Sequence, residues 1–147
     1  MVLFVCTGNT CRSPLAEGLM RAAVEDEVKV VSAGVSAWPG AAMSPESAEL
    51  LRERGASMSG FRSRAVSMDL VREATVVVCM TSGHLSILRE DYPEEAEKFH
   101  LAGDFSGEPG ADVPDPIGMG PGAYAEVAES LDAMVAGLKK YLGSMRK

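Results

Sequence analysis

Three cysteines, an odd number without the spacing of a disulfide framework, exclude a disulfide-stapled secreted scaffold and point to a reducing compartment. No stretch clusters enough Lys or Arg to track a nucleic-acid backbone, and a net charge of −7 disfavours polyanions at long range. Nucleic acid is not an expected partner. No apolar run reaches the roughly 18 residues of a membrane-spanning helix, and the N-terminus lacks the basic segment of a secretory leader. A soluble, cytoplasmic protein with no membrane contact is expected. His, Cys and Asp nowhere cluster at metal-ligand spacing, so neither a metal nor another cofactor is expected. No internal repeat occurs. What remains is 147 residues, 46% of them hydrophobic, which is enough for one core and so for a single domain over 1–147.

The chemistry concentrates near the N-terminus, in Val5-Cys6-Thr7-Gly8-Asn9-Thr10-Cys11-Arg12-Ser13-Pro14. An apolar run, Val2 to Val5, precedes it and a helical pattern follows, so Cys6 sits on a strand-to-helix turn. Gly8 carries no penalty at positive φ and Asn9 tolerates it, so the backbone between Cys6 and Arg12 can curl with its N–H groups inward. Such a nest binds an anion. Ser13 reads as the N-cap and Pro14 as the first helical residue, which adds the positive end of the helix dipole. Arg12 offers a planar fork matched to two phosphate oxygens. The same field favours the thiolate of Cys6, and a thiolate beneath a bound phosphoryl group is a nucleophile.

In chain order, the pattern predicts a buried strand to Val5, a helix from Pro14 to about Glu25 and a second strand over Val28–Val31. In the first helix Leu15, Leu19 and Ala23 face inward, and Glu17, Arg21 and Glu25 are more exposed. Ser32-Ala33-Gly34 then turns the chain. Trp38 either anchors against the core or walls the site. Ser44-Pro45 caps a helix to about Arg54 with Ala48, Leu50 and Leu51 inward, and Ser67 caps a short one. Thr75–Met80 is the clearest strand, with Cys79 an inert core residue. His84 reads as a surface residue or a local hydrogen-bonder, not an acid or base. Lys98–Leu101 forms the fourth strand, where His100 is structural. From Gly103 to Gly122 a Gly, Pro and Asp-rich loop without secondary structure carries Asp115 between two prolines. Asp115 is there either a turn-former or a carboxyl held over the phosphate pocket. A final helix, Tyr124 to about Leu142, packs on the sheet, and the scattered methionines fill the core. Alternating strands and helices imply an α/β fold, a three-layer α/β/α arrangement on a four-stranded parallel sheet with ligands at the strands' carboxyl ends.

Residues 5–17, Val-Cys-Thr-Gly-Asn-Thr-Cys-Arg-Ser-Pro-Leu-Ala-Glu, resemble the signature of the low-molecular-weight protein tyrosine phosphatases. Ser32-Ala33-Gly34, Met80 and Asp115-Pro116 fall where that family has its own markers, so the resemblance covers essentially the whole chain. It implies Cys6 as nucleophile and Arg12 with the loop Thr7, Gly8, Asn9, Thr10, Cys11 and Ser13 as the phosphate site. It implies Asp115 as general acid, and Cys11 as a second thiol able to pair with the nucleophile. Two departures bear on the substrate. Thr10 stands where family tyrosine phosphatases carry isoleucine or leucine, and Ile117-Gly118 where they carry aromatic residues. Both departures resemble the bacterial protein-arginine phosphatases, which implies phosphoarginine in proteins as substrate and inorganic phosphate as product. Phosphotyrosine is the alternative. Arsenate reductases share the loop but need a relay of further cysteines; Cys79 lies in a strand with no pair after it. A non-catalytic phosphate-binding module would lack a nucleophile or acid, and Cys6 and Asp115 are both present.

Overall fold

The computed structural model describes residues 1–24, 28–58 and 60–145. Four parallel strands form one sheet in the order β2-β1-β3-β4, with β1 Val2–Cys6, β2 Val30–Gly34, β3 Val76–Cys79 and β4 Phe99–Leu101. Parallel pairing requires crossovers, and these are helical: α1 Arg12–Ala23, α2 Pro45–Glu53, α3 Met68–Glu73, α4 Ser82–Asp91 and a 3-10 turn Pro93–Lys98, while α5 Gly103–Ser106 and α6 Pro121–Met145 follow the last strand. The strand period of two divides β1 between two cores. Val2 and Phe4 pack with Leu15, Met20, Leu131 and Leu138 of α1 and α6, while Leu3 and Val5 pack with Val71, Leu85 and Leu88 of α3 and α4. The result is the expected three-layer α/β/α arrangement.

Several expectations are corrected. Strand β2 starts two residues later than Val28 and runs through Ser32-Ala33-Gly34, because its register with β1 continues to Cys6 opposite Gly34. Helix α1 begins at Arg12, with Cys11 as its cap residue, so Ser13 is not the N-cap and Pro14 is its third residue. The expected end at Glu25 lies outside the described residues. Ala48 is exposed, and Ser47 is buried in its place beside Leu51. The Gly103–Gly122 segment is not wholly irregular, since α5 occupies its start and α6 opens at Pro121. Trp38 is 84% exposed, which overturns its reading as a core anchor. Met20, Met80 and Met134 do fill the core, but Met119 is exposed. No helix among the described residues is long and apolar enough to cross a membrane.

Candidate active site

The loop between β1 and α1 lies at the carboxyl end of the sheet, where strand order reverses around β1. Its carbonyls are held from outside. The N–H groups of Val35, Ser36 and Ser44 donate to the oxygens of Cys6, Thr7 and Thr10, at 2.9, 3.0 and 2.8 Å, and the Ser47 hydroxyl donates to that of Cys11 at 3.1 Å. With the carbonyls turned outward, the N–H groups of Gly8, Asn9, Thr10 and Cys11 donate to no protein acceptor among the described residues. Inward-pointing amides at a helix N-terminus make an anion cradle.

The left-handed residue of this loop is Asn9, with φ of 56°, and not Gly8. Its buried side chain supports that conformation. Asn9 Nδ2 donates to the hydroxyls of Ser13 and Ser32, both at 2.9 Å, and Oδ1 accepts from the Arg64 N–H at 2.9 Å. An amide nitrogen only donates, so the Ser13 hydroxyl accepts from Asn9, and its own proton is free to point to Cys6 Sγ, 2.8 Å away. Ser13 therefore serves the thiol and not the helix cap. The Ser32 proton goes to Glu17 Oε1 at 2.7 Å. Glu17, expected on the exposed face, is 4% exposed and pairs with Arg21 at 2.9 Å. Burial raises the Glu17 pKa, with the Ser32 hydrogen bond and the Arg21 charge opposing the rise.

Arg12 is 5% exposed and reaches from the loop to the late segment, where Nη1 donates to the Val113 carbonyl at 3.0 Å. Nη2 lies 3.9 Å from Asp115 Oδ2, which brings the two ends of the chain's chemistry together. Asp115 Oδ1 also accepts from the Ile117 N–H at 3.0 Å, so the aspartate forms a turn and stands beside Arg12 at once. Cys11 is buried, with its thiol 3.6 Å from the Tyr124 hydroxyl, and burial pushes Tyr124 up to about 12. From Thr10 and Cys11 an open groove of about 1150 Å³ runs between α2 and α6, past Met43, Leu50, Ile117 and Tyr124.

Residues 1–147 match the family described as low molecular weight phosphotyrosine protein phosphatase. The chain belongs to this family. Among similar proteins is the protein-arginine-phosphatase of Geobacillus stearothermophilus, 35% identical over 96% of this chain and 95% of its own. The low molecular weight protein-tyrosine-phosphatase Wzb of Escherichia coli K12 is 34% identical over 89% and 87%. The solved YwlE arginine phosphatase from Geobacillus stearothermophilus superposes with a TM-score of 0.91 at 34% identity, covering 99% of this chain and 94% of that one.

Within the phosphatase fold, some residues gain a reason that sequence reading missed. Gly34 lies so near the loop that a Cβ there would overlap the Thr7 carbonyl oxygen and stand 3.0 Å from the Asn9 nitrogen. Gly34→Ala is expected to force the loop outward at about 1–3 kcal/mol, a fall in Tm of roughly 3–10 °C for a chain this long. Differential scanning calorimetry with parallel phosphatase assays checks this; an unchanged Tm with unchanged activity contradicts the close approach. His84 is not at the surface but 5% exposed; it is the local hydrogen-bonder of its other reading, capping α4 with Thr81, and it also touches the loop through Thr7. Cys79 is an inert core residue, its thiol pushed up to about 12 by burial. His100 packs against Phe105 and Tyr141.

Proposed function

We propose that this phosphatase hydrolyses phosphoarginine in cytoplasmic proteins through a cysteinyl-phosphate intermediate, releasing inorganic phosphate. Cys6 Sγ attacks phosphorus in line with the departing guanidinium nitrogen; the S–P bond forms as the P–N bond breaks. The loop N–H groups and Arg12 hold the three equatorial oxygens, where charge is greatest in the transition state. Asp115 gives its proton to the departing nitrogen. In the second step the ionised Asp115 takes a proton from water as the water oxygen attacks phosphorus. Cys6 leaves as thiolate, stabilised by the Ser13 proton. Asn9 holds the loop in its curled form.

The observation that carries the reading is the loop itself, with four of its carbonyls held from outside and its amides without a protein acceptor among the described residues, beside Cys6 and Arg12. Thr10 supports phosphoarginine over phosphotyrosine, because a hydroxyl replaces the apolar contact that a phenyl ring would want. The late loop likewise offers Ile117, 59% exposed, where an aromatic wall would have to stand. The protein-arginine-phosphatase named above supports the same choice, and the Wzb relative keeps phosphotyrosine as the second reading.

The test is kcat/KM for a phosphoarginine peptide and a phosphotyrosine peptide of one sequence, with Cys6→Ser as blank and Thr10→Ile as a second enzyme. The parent should prefer phosphoarginine. Thr10→Ile should shift that ratio toward phosphotyrosine by about 10–200-fold, the span of one pocket contact. Preference of the parent for phosphotyrosine overturns the assignment.

A further inference from the structure

His84 is buried beside the catalytic loop, yet the two-step reaction makes no use of it. It stands at the third position of α4, where the Thr81 backbone N–H donates to its Nδ1 at 3.2 Å. A backbone N–H only donates, so Nδ1 carries the lone pair and the neutral ring holds its proton on Nε2. That proton goes to Thr7 Oγ1, 2.8 Å away. Burial first, then the charge of Arg12, pull His84 down to about 4, with Asp112 and Asp115 acting the other way. The ring is thus neutral, in this one tautomer, at neutral pH.

The consequence falls on Thr7. Its hydroxyl oxygen has one lone pair taken by His84, which fixes its rotamer, and keeps a second lone pair on an exposed side chain. Thr7 follows Cys6 directly, and His84 is near enough to Arg12 and Asp115 to feel both charges. Thr10 is tied to the opposite side of the loop, where its carbonyl accepts from Ser44 at the start of α2. Helices α2 and α4 cover opposite faces of the sheet. Two hydroxyls thus stand on the loop, that of Thr10 beside the Cys11 thiol at 3.8 Å and that of Thr7 oriented by the buried His84 ring at 2.8 Å.

We propose that Thr7, its hydroxyl oriented by His84, accepts a hydrogen bond from the guanidinium of phosphoarginine and is a specificity-determining residue for that substrate, with His84 its positioning residue. A guanidinium brings only donors, which an oriented oxygen accepts. A phenyl ring brings none at that point. The inference rests on the phosphoarginine reading.

A double-mutant cycle tests it, read as kcat/KM on the paired phosphoarginine and phosphotyrosine peptides, with Tm measured for each variant. Thr7→Val removes the acceptor. His84→Glu keeps an acceptor for the Thr81 N–H, as in a capping box, but has nothing to donate to Thr7. His84→Gln keeps both functions. Thr7→Val and His84→Glu should each lower phosphoarginine turnover by about tenfold, and the double variant should lose little more than Thr7→Val alone. His84→Gln should restore most of the loss, and phosphotyrosine turnover should change far less in all of them. Undiminished loss from His84→Glu in the Thr7→Val background means that His84 acts through its own charge or through α4, and overturns the proposal. So does a parent that prefers phosphoarginine but is indifferent to Thr7→Val. A parent that prefers phosphotyrosine fails at an earlier point, in the parent enzyme alone, and takes the phosphoarginine reading and this inference down together.

Discussion

Arg12→Lys is expected to lower kcat/KM on a phosphoarginine peptide by about 10²–10³-fold, the loss seen when one donor to developing transition-state charge is removed. The guanidinium does two things that an ammonium does not. Its planar fork can donate to two phosphoryl oxygens in fixed geometry, and another of its N–H groups is already committed to the Val113 carbonyl at 3.0 Å. A lysine at this buried position is a single strongly hydrated point charge. It can satisfy the anion or reach Val113, but it does not hold both at defined angles. Releasing the Val113 carbonyl removes one of the ties on the segment that carries Asp115, two residues on, leaving the Val113 N–H on the Met80 carbonyl at 2.7 Å, so on the proposed mechanism the acid loses register with the nucleophile as the phosphate loses its clamp. Steady-state kinetics checks the first effect, and inhibition by inorganic phosphate, a ligand without a leaving group, checks phosphate binding separately. A loss under tenfold with unchanged phosphate inhibition would remove Arg12 from the cradle.

How much of this was legible in the sequence follows from how far apart the cooperating residues lie. Cys6, Arg12 and Ser13 fall within one turn of chain, and the chemistry of a curled loop at a helix N-terminus follows from residue types and spacing alone. The sheet and its helical crossovers were legible for a similar reason, because each strand and helix declares its own period. Within the loop, local propensity allowed the left-handed position to either Gly8 or Asn9, and the structure gives it to Asn9. Gly8 is the cheaper choice for an isolated backbone, but Asn9 has three hydrogen bonds that only its side chain can make. Ser13 was misread as the helix cap, the place of Cys11, because a serine before a proline scores as one. Glu17 shows the limit most plainly. On a helix wheel it is a charged residue for solvent, and it is buried only because Ser32, fifteen positions on, and Arg21 both meet it. The contact of Thr7 with His84 spans 77 positions and has no local signal at all. Asp115 is intermediate: its turn is readable from Asp-Pro, but its place beside Arg12 had to be supplied by family resemblance and is seen here as geometry.

Asp115→Asn is expected to lower phosphoarginine turnover by about 10²–10⁴-fold, the usual span of a positioned proton donor. On p-nitrophenyl phosphate the loss should be much smaller. The contrast comes from the leaving group. Nitrophenolate is stable without a proton, whereas arginine holds its proton beyond a pKa of about 12, so cleavage of the P–N bond without proton delivery would expel a very strong base. The substitution is chosen because of what it preserves. Asp115 Oδ1 accepts from the Ile117 N–H at 3.0 Å, and an asparagine carbonyl can accept the same bond, so the turn that shapes the loop is kept. What is lost is the proton and charge of the other oxygen, Oδ2, on a side chain half exposed and 3.9 Å from Arg12 Nη2. A structural aspartate would tolerate this change equally on both substrates. A general acid would not, and the ratio of the two losses separates the roles without relying on either rate alone. Equal losses on the two substrates, whatever their size, would return Asp115 to the turn and leave the proton to be delivered by another group.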